Sequence, residues 1–188
     1  YPVSTMGAHV SAVPNHQTGR VTPLSARGCV AMAGTFGYEL DLNRLTEEEK
    51  EEIRGQIRTF KELYDCIQYG EYYRLTSPLS GSCTVWETAA PDGSEALVSA
   101  VYHHVQANPV PVYVKLRGLD ETASYRIRLA GAPEGHGQDE QGQGQDERQT
   151  EHKAEEIRSG AALMHAGLLI PPAKGDYCAW QLHLVRTN

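Results

Sequence analysis

His9, Asn15 and His16 stand close together in the opening stretch YPVSTMGAHVSAVPNHQTGRVTPL, among small and polar residues. Imidazole and amide groups on a loop that follows a strand suit hydrogen bonding to a substrate at a pocket rim. The plainer alternative is that both histidines bond neighbouring backbone and hold the loop. The two histidines are seven positions apart with no third ligand nearby, which is poor spacing for zinc. Glu39 and Asp41 form the second constellation. Two apart on a strand, they point to one side at roughly 7 Å, given about 3.4 Å per residue. Paired carboxylates at such a distance serve glycosidases, but those approach the scissile bond from different sides. A charged strand end ahead of the next helix is the better account of Glu39 and Asp41. Ser4, Ser11 and the cysteines are the remaining nucleophiles, yet no G-x-S-x-G elbow supports a hydrolase triad. The pair His103-His104 reads as a strand end, and GTFG lacks a phosphate-loop pattern.

The elements that position these groups change character along the chain. Val3 to Val10 reads as strand and loop, TPLSARGCVAMAG as a helix of small residues packed tightly on a sheet, and GTFGYELDLN as a short strand alternating Phe36, Tyr38, Leu40 and Leu42. A helix over 46–69 follows. Thr46 with Glu49 makes a capping box, Glu47, Glu48 and Glu49 suit the positive helix end, and Gly70 is placed as the stop. Ile53, Ile57, Phe60, Tyr64 and Ile67 fall on one stripe, so one face docks on a core. Strand, helix, strand, helix is the rhythm of a βα barrel or a doubly wound sheet. After Gly70 the pattern becomes alternating. CTVWETAAPDGSEALVSAVYHH reads as two strands joined at Pro91-Asp92-Gly93. VPVYVKLRGL, SYRIRLA and YCAWQLHLVR also alternate, as half-buried antiparallel strands do. Residues 72–188 are therefore expected to form a β-sandwich-like domain. The segment at about 132–156, with its loose Gly-Gln-Asp-Glu repeat, has too few apolar side chains to offset its ordering entropy and reads as a solvated loop insertion.

The totals narrow the function classes. A net charge of -7, from 17 Lys+Arg against 24 Asp+Glu, disfavours nucleic acid and an anionic membrane surface as partners. No apolar run is long enough to span a membrane. Cys29, Cys66, Cys83 and Cys178 show no C-x-x-C spacing, which argues against structural zinc and for free, largely buried thiols in a reducing compartment. The expected location is cytoplasmic. Residue patterns alone thus give two barrel-like βα units, a β domain and no complete catalytic set.

A resemblance extends this reading. The opening stretch, then RGCVAMAGTFGYELDLNRLTEEEKEEI, IQYGEYYRLTSP and LMHAGLLIP, resembles the C-terminal part of the α-galactosidases (melibiases) of glycoside hydrolase family 36. The resemblance implies α/β plus all-β architecture: over 1–71 the last two βα units of a (β/α)8 catalytic barrel, and over 72–188 a C-terminal antiparallel β-sandwich-like domain. The strand-like start at Tyr1-Pro2-Val3 then follows from six absent barrel units. The implied activity is retaining hydrolysis of terminal α-galactosyl residues of melibiose- or raffinose-type oligosaccharides. In the family one aspartate is the nucleophile and a second the acid/base. Both lie in motifs upstream of the matching segment and neither motif occurs here, so no catalytic residue is carried over and the isolated chain is expected to be inactive. His9, Asn15 and His16 are the residues assigned to the pocket wall. No metal or organic cofactor is implied. The expected partners are the α-galactoside, the missing N-terminal part of the same enzyme, and a further copy through the C-terminal domain. The alternative is a non-catalytic carbohydrate-binding or assembly module, which would need surface aromatics on the β domain; Trp86, Tyr102 and Tyr113 are the candidates.

Overall fold

The computed structural model describes residues 2–79, 81–130, 156–173 and 175–187. The expected insertion therefore lies outside the described residues, except for Glu156. The first part is a small βαβ arrangement. Strand β1 (Val10–Ser11) and β2 (Tyr38–Glu39) pair in parallel, with α1 (Leu24–Ala31) between them in sequence. Both strands are shorter than their alternation suggested. Val3–Thr5 turns as a 3₁₀ helix, and so does Leu42–Arg44, where Asp41 accepts from the Asn43 backbone N–H and bends the chain out of the extended form. Helix α1 carries buried Leu24, Ala26, Gly28, Cys29 and Ala31. A Cβ on Gly28 would sit within 2.5 Å of the Gln56 amide group, so this glycine sets how closely α1 and the next helix approach.

That helix, α2 (Glu47–Glu62), starts at the expected capping box. The Thr46 hydroxyl accepts from the Glu49 N–H at 3.2 Å, and the Glu49 carboxylate accepts from the Thr46 N–H at 2.9 Å. The single helix anticipated over 46–69 is two helices, because the chain breaks at Leu63 before α3 (Tyr64–Tyr69). The break rotates the apolar stripe: Leu63 is buried and Tyr64 turns out to solvent.

The second part is built on a six-stranded antiparallel sheet in the order β3-β4-β5-β10-β7-β8. Its strands are β3 (Glu71–Arg74), β4 (Cys83–Ala89), β5 (Glu95–Tyr102), β7 (Ser124–Leu129), β8 (Glu156–Ser159) and β10 (Cys178–Thr187). The β4–β5 hairpin turns at Pro91-Asp92-Gly93, where Gly93 takes φ +64°. A two-stranded sheet, β6 (Val112–Val114) with β9 (Leu168–Ile170), covers one face. Between these layers lies the largest core, with Val85, Val98, Tyr125, Leu163, Ile170 and Leu184 at its centre.

Strand β7 is half-buried as its alternation implied, with Tyr125 and Ile127 buried and Arg126 exposed, but β4 and β5 are covered on both faces. All of β5 after Glu95 is buried, and so is nearly all of β4, because α1, α2 and α3 cover the opposite face. Leu97 packs with Leu63, Cys66 and Ile67, and Trp86 and Val101 pack with Cys29. The result is a helical layer, a sheet and a second small sheet; among the described residues no barrel closes. Among the described residues no helix is long and apolar enough to cross a membrane.

Candidate functional site

The loop after β1 is shaped by one amide. The Asn15 Oδ1 accepts from the backbone N–H of Gln17 and of Thr18, both at 3.0 Å, and from the Thr18 hydroxyl at 3.1 Å. The Asn15 N–H in turn donates to the Arg20 carbonyl at 2.8 Å, which closes the loop on itself. Asn15 is thus a loop organiser first. From below, the Arg27 guanidinium donates to the carbonyls of Thr22 and Ser11 and ties the loop to α1. Burial pushes the Arg27 pKa down, and the nearby Glu49 and Glu52 carboxylates pull it back up.

Above this loop is a cavity of about 680 Å³. His9 and Asn15 line it, while His16 is exposed and is not among its lining residues. His9 precedes β1 rather than following it. Its Nε2 lies 2.8 Å from the Glu39 carboxylate across the β1–β2 pair. A carboxylate can only accept, so Nε2 carries the hydrogen and Nδ1 is the ring atom left for a ligand. Glu39 and Asp41 fit the charged strand end rather than a catalytic pair: Glu39 at the end of β2 holds His9, and Asp41 accepts from both nitrogens of Asn43.

Sequence reasoning missed two contributors to the cavity. Arg20 lines it, and so does Tyr177, which comes from the loop just ahead of β10 in the other half of the chain. No local pattern marks Tyr177, because the tertiary fold alone carries it there.

The remaining nucleophiles are poorly placed. All four cysteines are free. Burial pushes the Cys29 thiol up to about 12, and Cys66 and Cys83 up to about 11, so these are inert thiols at neutral pH. Neither Ser4 nor Ser11 bonds a histidine. Among the described residues no three His, Cys, Asp or Glu side chains gather as a metal site. His103-His104 follows the end of β5, with His104 3.8 Å from Asp176. Of the aromatics a stand-alone sugar binder would need, Trp86 and Tyr102 are buried in the two cores and only Tyr113, 63% exposed, faces solvent.

Two family models match in sequence: Melibiase over residues 1–70, and the glycosyl hydrolase family 36 C-terminal domain over residues 83–184. The chain belongs to glycosyl hydrolase family 36. It is 45% identical over 181 residues to the bifunctional α-galactosidase/sucrose kinase AgaSK of Mediterraneibacter gnavus, covering 96% of this chain and 17% of that protein. To α-galactosidase AgaA of Geobacillus stearothermophilus it is 40% identical over 188 residues, covering 99% of this chain and 22% of that one. The solved structure of AgaA A355E D548N in complex with raffinose superposes with a TM-score of 0.82 at 38% identity, over 100% of this chain and 23% of that one. The chain therefore spans about a fifth of the length of the relatives it matches. Within this family 36 chain the cavity draws on both matched regions: the loop after β1 falls in the first, and Val101 and Tyr177 fall in the second.

Proposed function

We propose that this chain is the C-terminal part of a retaining α-galactosidase, and that it supplies a wall of the sugar pocket and the support beneath it. The observation that carries the reading is resemblance over the full chain to α-galactosidases, at 40% identity or better for two relatives. In this reading β1, α1, β2 and α2–α3 are the last two units of a (β/α)8 barrel over 1–71. Residues 72–188 form the C-terminal β domain and buttress those helices. The substrate is a terminal α-galactoside of melibiose or raffinose type. One relative's structure holds raffinose, which supports that class.

The chemistry is double displacement by two carboxylates about 5 Å apart. None of the residues lining the cavity is a carboxylate. In this reading the catalytic aspartates belong to protein outside these 188 residues, and this segment binds rather than cleaves. His9, held by Glu39, offers Nδ1 to a sugar hydroxyl. Asn15 keeps the loop in shape, and His16 sits at its outer edge.

The test is hydrolysis of an aryl α-galactoside. The 188-residue chain alone is expected to release no aglycone above buffer. The longer protein from its source is expected to turn over and to give the α-anomer first by NMR. Turnover by the 188 residues, or none by a longer protein, would overturn the reading.

A further inference from the structure

Tyr177 has features that no support role requires. It is a non-glycine residue in the left-handed region, at φ +58°. Such a backbone persists only where its surroundings hold it. They do so here through its neighbour: the Asp176 carboxylate accepts from the Val105 backbone N–H at 2.7 Å and anchors the loop to the end of β5. The ring is partly exposed and lines the cavity above the loop after β1. Facing it, the Arg20 guanidinium carbon lies 6.0 Å from the ring centroid. Arg20 itself is held in the loop, because its carbonyl accepts from Asn15.

We infer that Tyr177 and Arg20 form a saccharide-binding platform, so that the C-terminal half of the chain takes part in recognition. The inference rests on the pocket assignment above and adds the residues that do the work. An aromatic face is electron-rich and favours the slightly positive C–H face of a pyranose. The guanidinium lies over one face of the ring, so a pyranose would stack on the other face, with the several N–H donors of the fork directed to hydroxyl oxygens at its edge. A neutral hexose or a short oligosaccharide meets both requirements. A planar carboxylate would engage the arginine but leave the phenol ring without a partner.

The experiment is calorimetric titration of raffinose into the 188-residue chain and three variants. Tyr177→Phe keeps the ring and is expected to hold affinity within about twofold. Tyr177→Gly removes the ring at a backbone that glycine adopts freely, so its Tm is expected to equal or exceed that of the parent while affinity falls about tenfold. Arg20→Gln, which shortens the side chain and removes its charge and fork, is expected to weaken binding about fivefold. Parent-like affinity in Tyr177→Gly with a retained Tm would overturn the platform and leave the pocket assignment standing. Absence of raffinose binding by the parent chain would overturn the platform, while the pocket assignment is decided by the hydrolysis test.

Discussion

Glu87 is a carboxyl group folded into an apolar core. It is fully buried on β4; its Oε2 accepts from the Arg117 backbone N–H at 2.8 Å, and among the described residues Oε1 has no partner. Burial pushes its pKa up to about 8, more than the Arg117 amide and guanidinium can offset. The native chain thus keeps the proton up to about pH 8, whereas the unfolded chain releases it near 4.5. Between those values the unfolded state binds fewer protons, so stability falls as pH rises through the window and levels off above it. The full loss is about 5 kcal/mol. Glu87→Gln cannot ionise, so the variant is expected to gain Tm relative to the parent as pH goes from 4.5 to 8. Parallel Tm–pH curves for the two proteins would refute the assignment. Asn15 is legible in the sequence as a pocket-wall residue; the structure adds the Asx turn it closes with Gln17 and Thr18. A ring meeting Arg20 across the chain leaves no mark in the sequence around it.

Elements begin and end where local chemistry allows, and α2 is the clearest case. Its capping box satisfies two otherwise unpaired backbone groups. Thr46→Ala is expected to cost about 1 kcal/mol in urea denaturation. Adding Glu49→Ala should cost less than the sum of the single changes, since the two side chains cap reciprocally. Strict additivity would mean the box contributes nothing as a unit. The end of α2 was not legible. The stripe from Ile53 to Ile67 continues through Leu63, but packing against β5 rotates the chain at that point and buries Leu63 in place of Tyr64. The β10 alternation likewise foretold Leu182 and Leu184, yet His183 beside them is also buried. There its Nε2–H donates to Glu95 at 2.6 Å, and Nδ1 accepts from Arg128 at 3.3 Å. Arg128 reaches on to Glu62 at the end of α2, so one polar chain links sheet and helix.

At the scale of the molecule, the helices and the large sheet form one packed body. Leu63, Cys66 and Ile67 bury against Leu97, and Cys29 against Trp86 and Val101. Ile67→Ala removes a side chain at that seam and is expected to cost about 2–5 kcal/mol. Calorimetry should give a single transition that shifts as a whole. Two transitions, only one of them displaced, would mean the regions before and after Gly70 unfold independently. The cavity follows from the same docking, because Tyr177 and Val101 reach it only when the sheet end lies beside the loop after β1.

What the sequence determined by itself was a set of features fixed by near neighbours: the capping box at Thr46, the turn at Pro91-Asp92-Gly93, the alternation of β7 and β10, and the cluster of polar residues in the loop after β1. Motif resemblance added the family. The tertiary structure alone decided which faces are covered. It buried both sides of β4 and β5, turned His9 to Glu39 instead of to the loop, hid Trp86 and Tyr102, and brought Tyr177 to Arg20. The physical reason is range. Caps, turns and pleats are fixed by bonds between residues a few positions apart, whereas burial and site assembly depend on contacts between segments far apart in the chain, from His9 with Glu39 to Arg20 with Tyr177, and local patterns carry no record of those.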